Sequence, residues 1–113
     1  MATGTCNWPG ASGKSYLYHV HDSNFDPNPK QDGNYIFAKF SNSKWQPIYV
    51  GQGDLKTRIA AAKSEGCVTR KGATYIHEHL SASETARKAE ESDILTAHHI
   101  SYAPTGCNEK PGG

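Results

Sequence analysis

The chain has 113 residues, 35% of them hydrophobic, and a formal net charge of +1. That length holds a single domain with a modest core, and the near-neutral balance excludes a global basic field that would announce a polyanion partner by charge alone. No apolar run reaches the roughly 18 residues of a membrane-spanning helix, and no charged start followed by an apolar core marks a secretory leader.

The first residues contain Gly10-Ala-Ser-Gly-Lys-Ser15, which has the ending of a phosphate-binding loop. The spacing fails, because that loop needs a glycine where Trp8 stands. The context fails too: the loop must follow a buried strand and open a helix, whereas Met1–Pro9 is short and polar and Ser15–His21 alternates like a strand. No nucleotide cofactor is expected. Residues 1–14 read as a flexible lead, residues 15–108 as one domain and residues 109–113 as a frayed tail.

In Ser15–His21, Tyr16, Tyr18 and Val20 alternate with Leu17, His19 and His21, which predicts a strand. Asp22–Gly33 is a turn-rich connection. Asn34–Phe40 predicts a second strand, Ser41–Gln46 a loop, and Pro47–Gly51 a third strand ended by glycine. The second and third should pair as an antiparallel hairpin. The period then changes. Asp54 is a good N-cap for a helix that carries Leu55, Ile59 and Ala62 on one face and stops at Gly66. Gly72–Leu80 reads as extended. Ser81 and Glu84 have capping-box spacing at the start of the longest helix, which runs to His99. Strands followed by helices imply an α+β domain with a small antiparallel sheet covered by helices.

Three cysteines, Cys6, Cys67 and Cys107, contain no pair at metal-ligand spacing. They read as reduced thiols of a cytoplasmic protein. His19 and His21, and His77 and His79, are two-apart pairs that each face one side of a strand. They default to solvated or supporting roles, since no acid or cysteine at ligand spacing completes a zinc site. His98 and His99 lie where a helix dipole favours them.

Four side chains invite chemistry. Glu91 borders the apolar stripe of the second helix, with Arg87 a turn before it and Ile94 and Leu95 a turn beyond. A carboxylate there is either paired with Arg87 or put to use. Arg58 lies beside Leu55 and Ile59. It is either a phosphate fork or a surface arginine with its stem over apolar neighbours. Tyr35 and Tyr49 lie on the two strands of the expected hairpin, where a phenol can orient water if something nearby accepts a proton.

The order of these residues resembles a known family. Gly33-Asn34-Tyr35 followed by Tyr49-Val50-Gly51 is similar to the paired motif that names the GIY-YIG nucleases. Arg58, within Asp54-Leu-Lys-Thr-Arg-Ile59, resembles that family's phosphate-binding arginine. Glu91, three residues before Ile94, resembles its metal-binding glutamate, and Pro104-Thr-Gly-Cys-Asn108 its closing element. The likeness spans Gly33–Asn108. It implies a three-stranded antiparallel sheet flanked by helices, one Mg²⁺ or Mn²⁺ and hydrolysis of DNA phosphodiesters. Tyr35 and Tyr49 would activate water, Arg58 would hold the phosphate, Glu91 would bind the metal, and Asn108 would belong to the site.

Three departures from the pattern stand out. Asn34 replaces an apolar residue. Thirteen residues, 36–48, separate the tyrosines, which implies a longer hairpin loop. Ala62 stands where many members carry a histidine one turn after the arginine. The proton acceptor is then sought among His77, His79, Lys63 and Lys39, with the two histidines preferred. If none reaches, the domain binds DNA or protein without cutting. Lys39, Lys44, Lys56, Arg58, Lys63, Arg70 and Lys71 fall in the middle third as a possible DNA footprint.

Overall fold

The computed structural model describes residues 4–109. Its centre is the strand β3, Asp32–Ser41, in which Gly33 to Ala38 are buried without interruption. Such a strand needs a neighbour on each side and a layer on each face. On one side lies β4, Lys44–Asp54, reached through Asn42 and Ser43 with φ of 54° and 62°. Two residues at positive φ make the tight turn whose twist suits a hairpin. The hairpin was expected and is present. The longer hairpin loop that was also expected is absent: Lys44–Gln46 belong to the strand. The extra length between the tyrosines lies in extended strands and in a bulge, where the register moves from Phe37 opposite Tyr49 to Ala38 opposite Pro47.

On the other side of β3 lies β5, Tyr75–Leu80, followed by β2, Ser15–Asp22, and β1, Gly4–Pro9. The sheet order is β1-β2-β5-β3-β4 and every pairing is antiparallel. The fold is α+β, but the expected three-stranded sheet is corrected to five strands. The extended Gly72–Leu80 stretch supplies the fourth, inserted between β2 and β3. The fifth comes from the segment read as a flexible lead. Gly4–Pro9 is polar because an edge strand buries little: Trp8 is buried and Cys6 half-buried, while backbone pairing to β2 does the rest. Residues 1–3 and 110–113, the ends of the expected lead and tail, lie outside the described residues.

The glycine-rich run has a mechanical explanation. Asp93 accepts hydrogen bonds from the Ser12 N–H (2.8 Å), the Ser12 hydroxyl (2.6 Å) and the Tyr16 hydroxyl (2.8 Å). The Gly10 backbone passes so close that a Cβ there would overlap the Asp93 carboxylate. The turn between β1 and β2 is thereby pinned to a helix.

That helix is α3, Glu84–Ala97. Its N-cap is Ser83, which accepts from the Ala86 N–H, and not Ser81. The Ser81 backbone is occupied elsewhere, donating to the Asp32 carbonyl and accepting from Arg87. The earlier helix α1, Leu55–Glu65, starts at Asp54 and ends at a left-handed Gly66, as its caps predict. A single turn, α2, Cys67–Arg70, follows.

The helices cover opposite faces of the sheet. Leu55, Ile59 and Val68 of α1 and α2 pack on Tyr35, Phe37, Ile48 and Ile76. Ile94 of α3 packs on Trp8, Tyr18, Ile36, Ala38 and Val50. A disulfide joins Cys67 to Cys107, which corrects the reading of three reduced thiols; Cys6 alone is free. Among the described residues no helix is long and apolar enough to cross a membrane.

Candidate active site

The bulge in β4 builds the site. Without it, Ile48 and Tyr49 would point to opposite faces. With it, both pack with the α1-side cluster, and the Tyr49 ring lies 6.0 Å from that of Tyr35 and 6.5 Å from that of Phe37. Gly51 stands opposite Tyr35 in the ladder, and a Cβ there would come within 2.4 Å of the Tyr35 hydroxyl. The phenol thus lies over the bare backbone of Gly51. Gly53, at φ +132°, opens a similar place for the Arg58 stem, whose Nε would be 3.0 Å from a Cβ. The glycines of this strand are the space that Tyr35 and Arg58 occupy.

These residues share a cleft of about 310 Å³, lined by Tyr35, Tyr49, Arg58, Ala62 and Glu65 and walled by the Cys67–Cys107 disulfide. Tyr35 is buried, with Tyr49 packed beside it. Its phenol is pushed well above the usual range, by burial first, then by the neighbouring Tyr49, with Arg58 pulling the other way. Tyr35 therefore keeps its proton and can only donate or orient. Arg58 is exposed at the rim, with its stem laid along Gly53.

Glu91 stands on α3, half-buried. Burial raises its carboxyl above the ordinary range, and the charges of Arg58 and Lys88 oppose that rise. Its field reaches Tyr35 as well. Among the described residues the Glu91 carboxylate makes no hydrogen bond or ion pair. The pairing with Arg87 that its spacing suggested is not made. Arg87 turns inward instead, donating from Nε to Gln52 (3.1 Å) and from Nη1 to the Ser81 carbonyl (2.9 Å). Asn34 has a positional use too: buried in β3, it donates to the Arg87 carbonyl at 2.9 Å and fixes the turn of α3 that carries Glu91.

Asn108 does not line the cleft. Its Oδ1 accepts from the Val50 N–H (2.8 Å) and the Ser101 hydroxyl (2.6 Å), and its Nδ2 donates to the Val50 carbonyl (2.8 Å). This side chain copies a strand partner along the open edge of β4. With the Cys107 N–H on the Ile48 carbonyl, it fastens the C-terminal loop beside Tyr49.

The favoured proton acceptors are on the wrong face. His77 packs between Trp8 and Trp45 on the α3 side. Its Nδ1 accepts from Trp8 at 2.9 Å, and burial, with help from His21, pushes its pKa down to about 4. His79 pairs with the buried Glu90 at 3.0 Å, which also accepts from Tyr18. Lys63 donates to the Phe25 carbonyl, and the Lys39 stem lies near Gly72; neither lines the cleft. The basic residues do not converge on the cleft either: Lys56 pairs with Asp26 and Lys71 donates to the Pro104 carbonyl, leaving Arg58 as the one of the seven that lines it.

Sequence reasoning missed two parts of the cleft. The Cys67–Cys107 wall left no signal, since the cysteines are 40 residues apart. Glu65 did leave one: it falls seven residues after Arg58, two turns along the same helix face.

A divalent cation can be tested against this donor set. An unpaired, half-buried carboxylate suits a hard cation. Mg²⁺ and Mn²⁺ commonly use one or two carboxylates, waters and substrate phosphate oxygens. Among the described residues no group of three or more His, Cys, Asp or Glu side chains is placed to hold a metal. The fit is therefore to an ion shared between Glu91, water and a phosphate. In comparisons with family models, curated proteins and solved structures, nothing matches this chain.

Proposed function

We propose that this protein is a divalent-metal-dependent endonuclease of the GIY-YIG type that hydrolyses DNA phosphodiester bonds. The observation that carries the reading is the convergence of Tyr35, Tyr49 and Arg58 on one cleft, with the unpaired carboxylate of Glu91 in electrostatic reach of Arg58 and Tyr35.

Each residue has a task that its chemistry suits. Arg58 binds two oxygens of the scissile phosphate through its planar fork and offsets the charge that builds there. Tyr35, kept protonated by burial, and Tyr49, packed beside it, orient the attacking water. Glu91 would hold Mg²⁺ or Mn²⁺, which would supply Lewis acidity when bound. Asn108 keeps the C-terminal loop on β4 and so holds the cleft wall in place. The Cys67–Cys107 bond fits an oxidising compartment, so we place the activity there instead of in the cytoplasm.

The test is nicking of supercoiled plasmid in Mg²⁺, in Mn²⁺ and in EDTA. Wild type is expected to nick in one or both metals and not in EDTA, and Glu91→Ala to lose the activity. Plasmid left intact in every metal would reject the enzyme. A second reading has its own support: with His77 and His79 on the far face, the cleft lacks the expected histidine, as a degenerate module that binds DNA without cutting would. That reading is favoured if inert protein still retards DNA and Arg58→Ala abolishes the retardation.

A further inference from the structure

We propose that Glu65 is the general base of this cleft, standing in for the histidine that the chain lacks there; the inference rests on the nuclease reading above. The cleft is lined by Tyr35, Tyr49, Arg58, Ala61, Ala62, Glu65, Cys67, Val68 and Cys107. Of these, alanine and valine carry no titratable group, the cysteines are joined to each other, an arginine has no acceptor atom, and a neutral phenol is too weak a base to take a proton from water. Glu65 is the single carboxylate in that set.

Its placement breaks a local rule. Glu65 is the last residue of α1, immediately before the left-handed cap at Gly66. A carboxylate there faces the negative end of the helix dipole, where a cation is preferred. Among the described residues it has no hydrogen bond or ion pair in compensation. An uncompensated local conflict is what a functional position looks like. Ala62, one turn nearer Arg58, is too short to fill the space between them, so the cleft reaches Glu65. The charged and titratable groups around it are Arg58 on its own helix, Tyr35 from β3, Tyr49 from β4, and Arg70 of α2, whose Nη1 lies beside Gly66.

In the reaction, a lone pair of the water oxygen forms the new bond to phosphorus while a water proton passes to the Glu65 carboxylate. The bond from phosphorus to the leaving sugar oxygen breaks with its electron pair, and that oxygen takes a proton from solvent. Glu65 then returns its proton to solvent. Nothing is oxidised or reduced.

The experiment follows plasmid nicking as a function of pH for wild type, Glu65→Gln, Glu65→Asp and the double variant Glu65→Gln/Ala62→His. Glu65→Gln is expected to lower kcat by about 10²–10⁴-fold, to leave KM for DNA unchanged and to erase the acid limb of the profile. Glu65→Asp should be slower with the limb retained. The double variant should regain rate with a new limb near the ordinary histidine value, about 6.5. Glu65 is exposed, so Glu65→Gln and Glu65→Asp should melt with wild type, whereas the double variant also changes half-buried Ala62 and is compared at matched folded fraction; should Glu65→Gln melt early, Glu65→Asp decides. A Glu65→Gln rate equal to wild type, or an unchanged acid limb, overturns the base assignment and leaves the nuclease reading standing. Wild type that nicks in no metal overturns both.

Discussion

Arg58 lies at the cleft rim and Gly51 beneath the Tyr35 phenol. Arg58 is exposed and contributes nothing to the core, so Arg58→Ala should melt like wild type. Its kcat for nicking should nevertheless fall by about a hundredfold or more, the usual effect of deleting one preorganised charge-stabilising donor. Gly51→Ala tests the space under Tyr35. The added methyl meets the phenol end of a buried ring, so the ring must move away from Tyr49. We expect a destabilisation of about 1–3 kcal/mol by urea denaturation, with a loss of kcat larger than that change in stability explains. A Gly51→Ala protein with wild-type kcat would remove Tyr35 from the reaction. The order of these residues is legible in the sequence, and the fold brings Tyr35, Tyr49 and Arg58 to one cleft. Their neighbours are not legible there. Whether Glu91 pairs with Arg87 depends on what else Arg87 can reach, and Gln52 and the Ser81 carbonyl come from other elements.

At the scale of elements, the edge of β4 and the turn between β1 and β2 carry the predictions. Asn108→Ala leaves the Val50 N–H and C=O buried without partners, at about 1–3 kcal/mol each. A total loss of about 2–6 kcal/mol in urea unfolding is expected, together with weaker nicking as the cleft wall loosens. Asp93 gives a pH test. Hydrogen bonds from Ser12 and Tyr16 hold its carboxyl below the ordinary aspartate range. A depressed folded-state value contributes stability that is fully present above the unfolded value, near 3.9, and is lost as pH falls through the lower folded one. Wild type should therefore lose thermal stability on acidification below about pH 4, and Asp93→Asn should lose less over that range. Equal acid sensitivity in both would remove Asp93 from the account. The helices were readable because Asp54 and Gly66 cap α1 locally. The cap of α3 was misread by two residues, because Ser81 and Ser83 carry the same local signal. The choice fell to the sheet, which uses the Ser81 backbone for Asp32 and Arg87.

For the whole molecule, the disulfide is the telling feature. It links α2 to the C-terminal loop across the cleft, over 40 residues of chain. Thiol titration of the unreduced native protein should find Cys6 alone, and reduction should release Cys67 and Cys107. Reduction should cost about 2–4 kcal/mol, read as a lower urea midpoint. If native protein titrates with three thiols, the oxidising compartment proposed above is withdrawn.

What the sequence determined by itself is local or ordered along the chain: the α+β class, the hairpin, the caps of α1, and the succession of tyrosine, tyrosine, arginine and glutamate. These depend on periodicity, turn chemistry and spacing, which act over a few residues. What only the tertiary structure decided is which face each side chain meets. A strand sends neighbours to opposite sides, and a bulge at Ile48 reverses that assignment for Tyr49. The insertion of β5 beside β3 puts His77 and His79 on the α3 side of the sheet, while the packing of α1 on the other face leaves Glu65 lining the cleft. Long-range pairing fixes that choice, and no short stretch of sequence contains it.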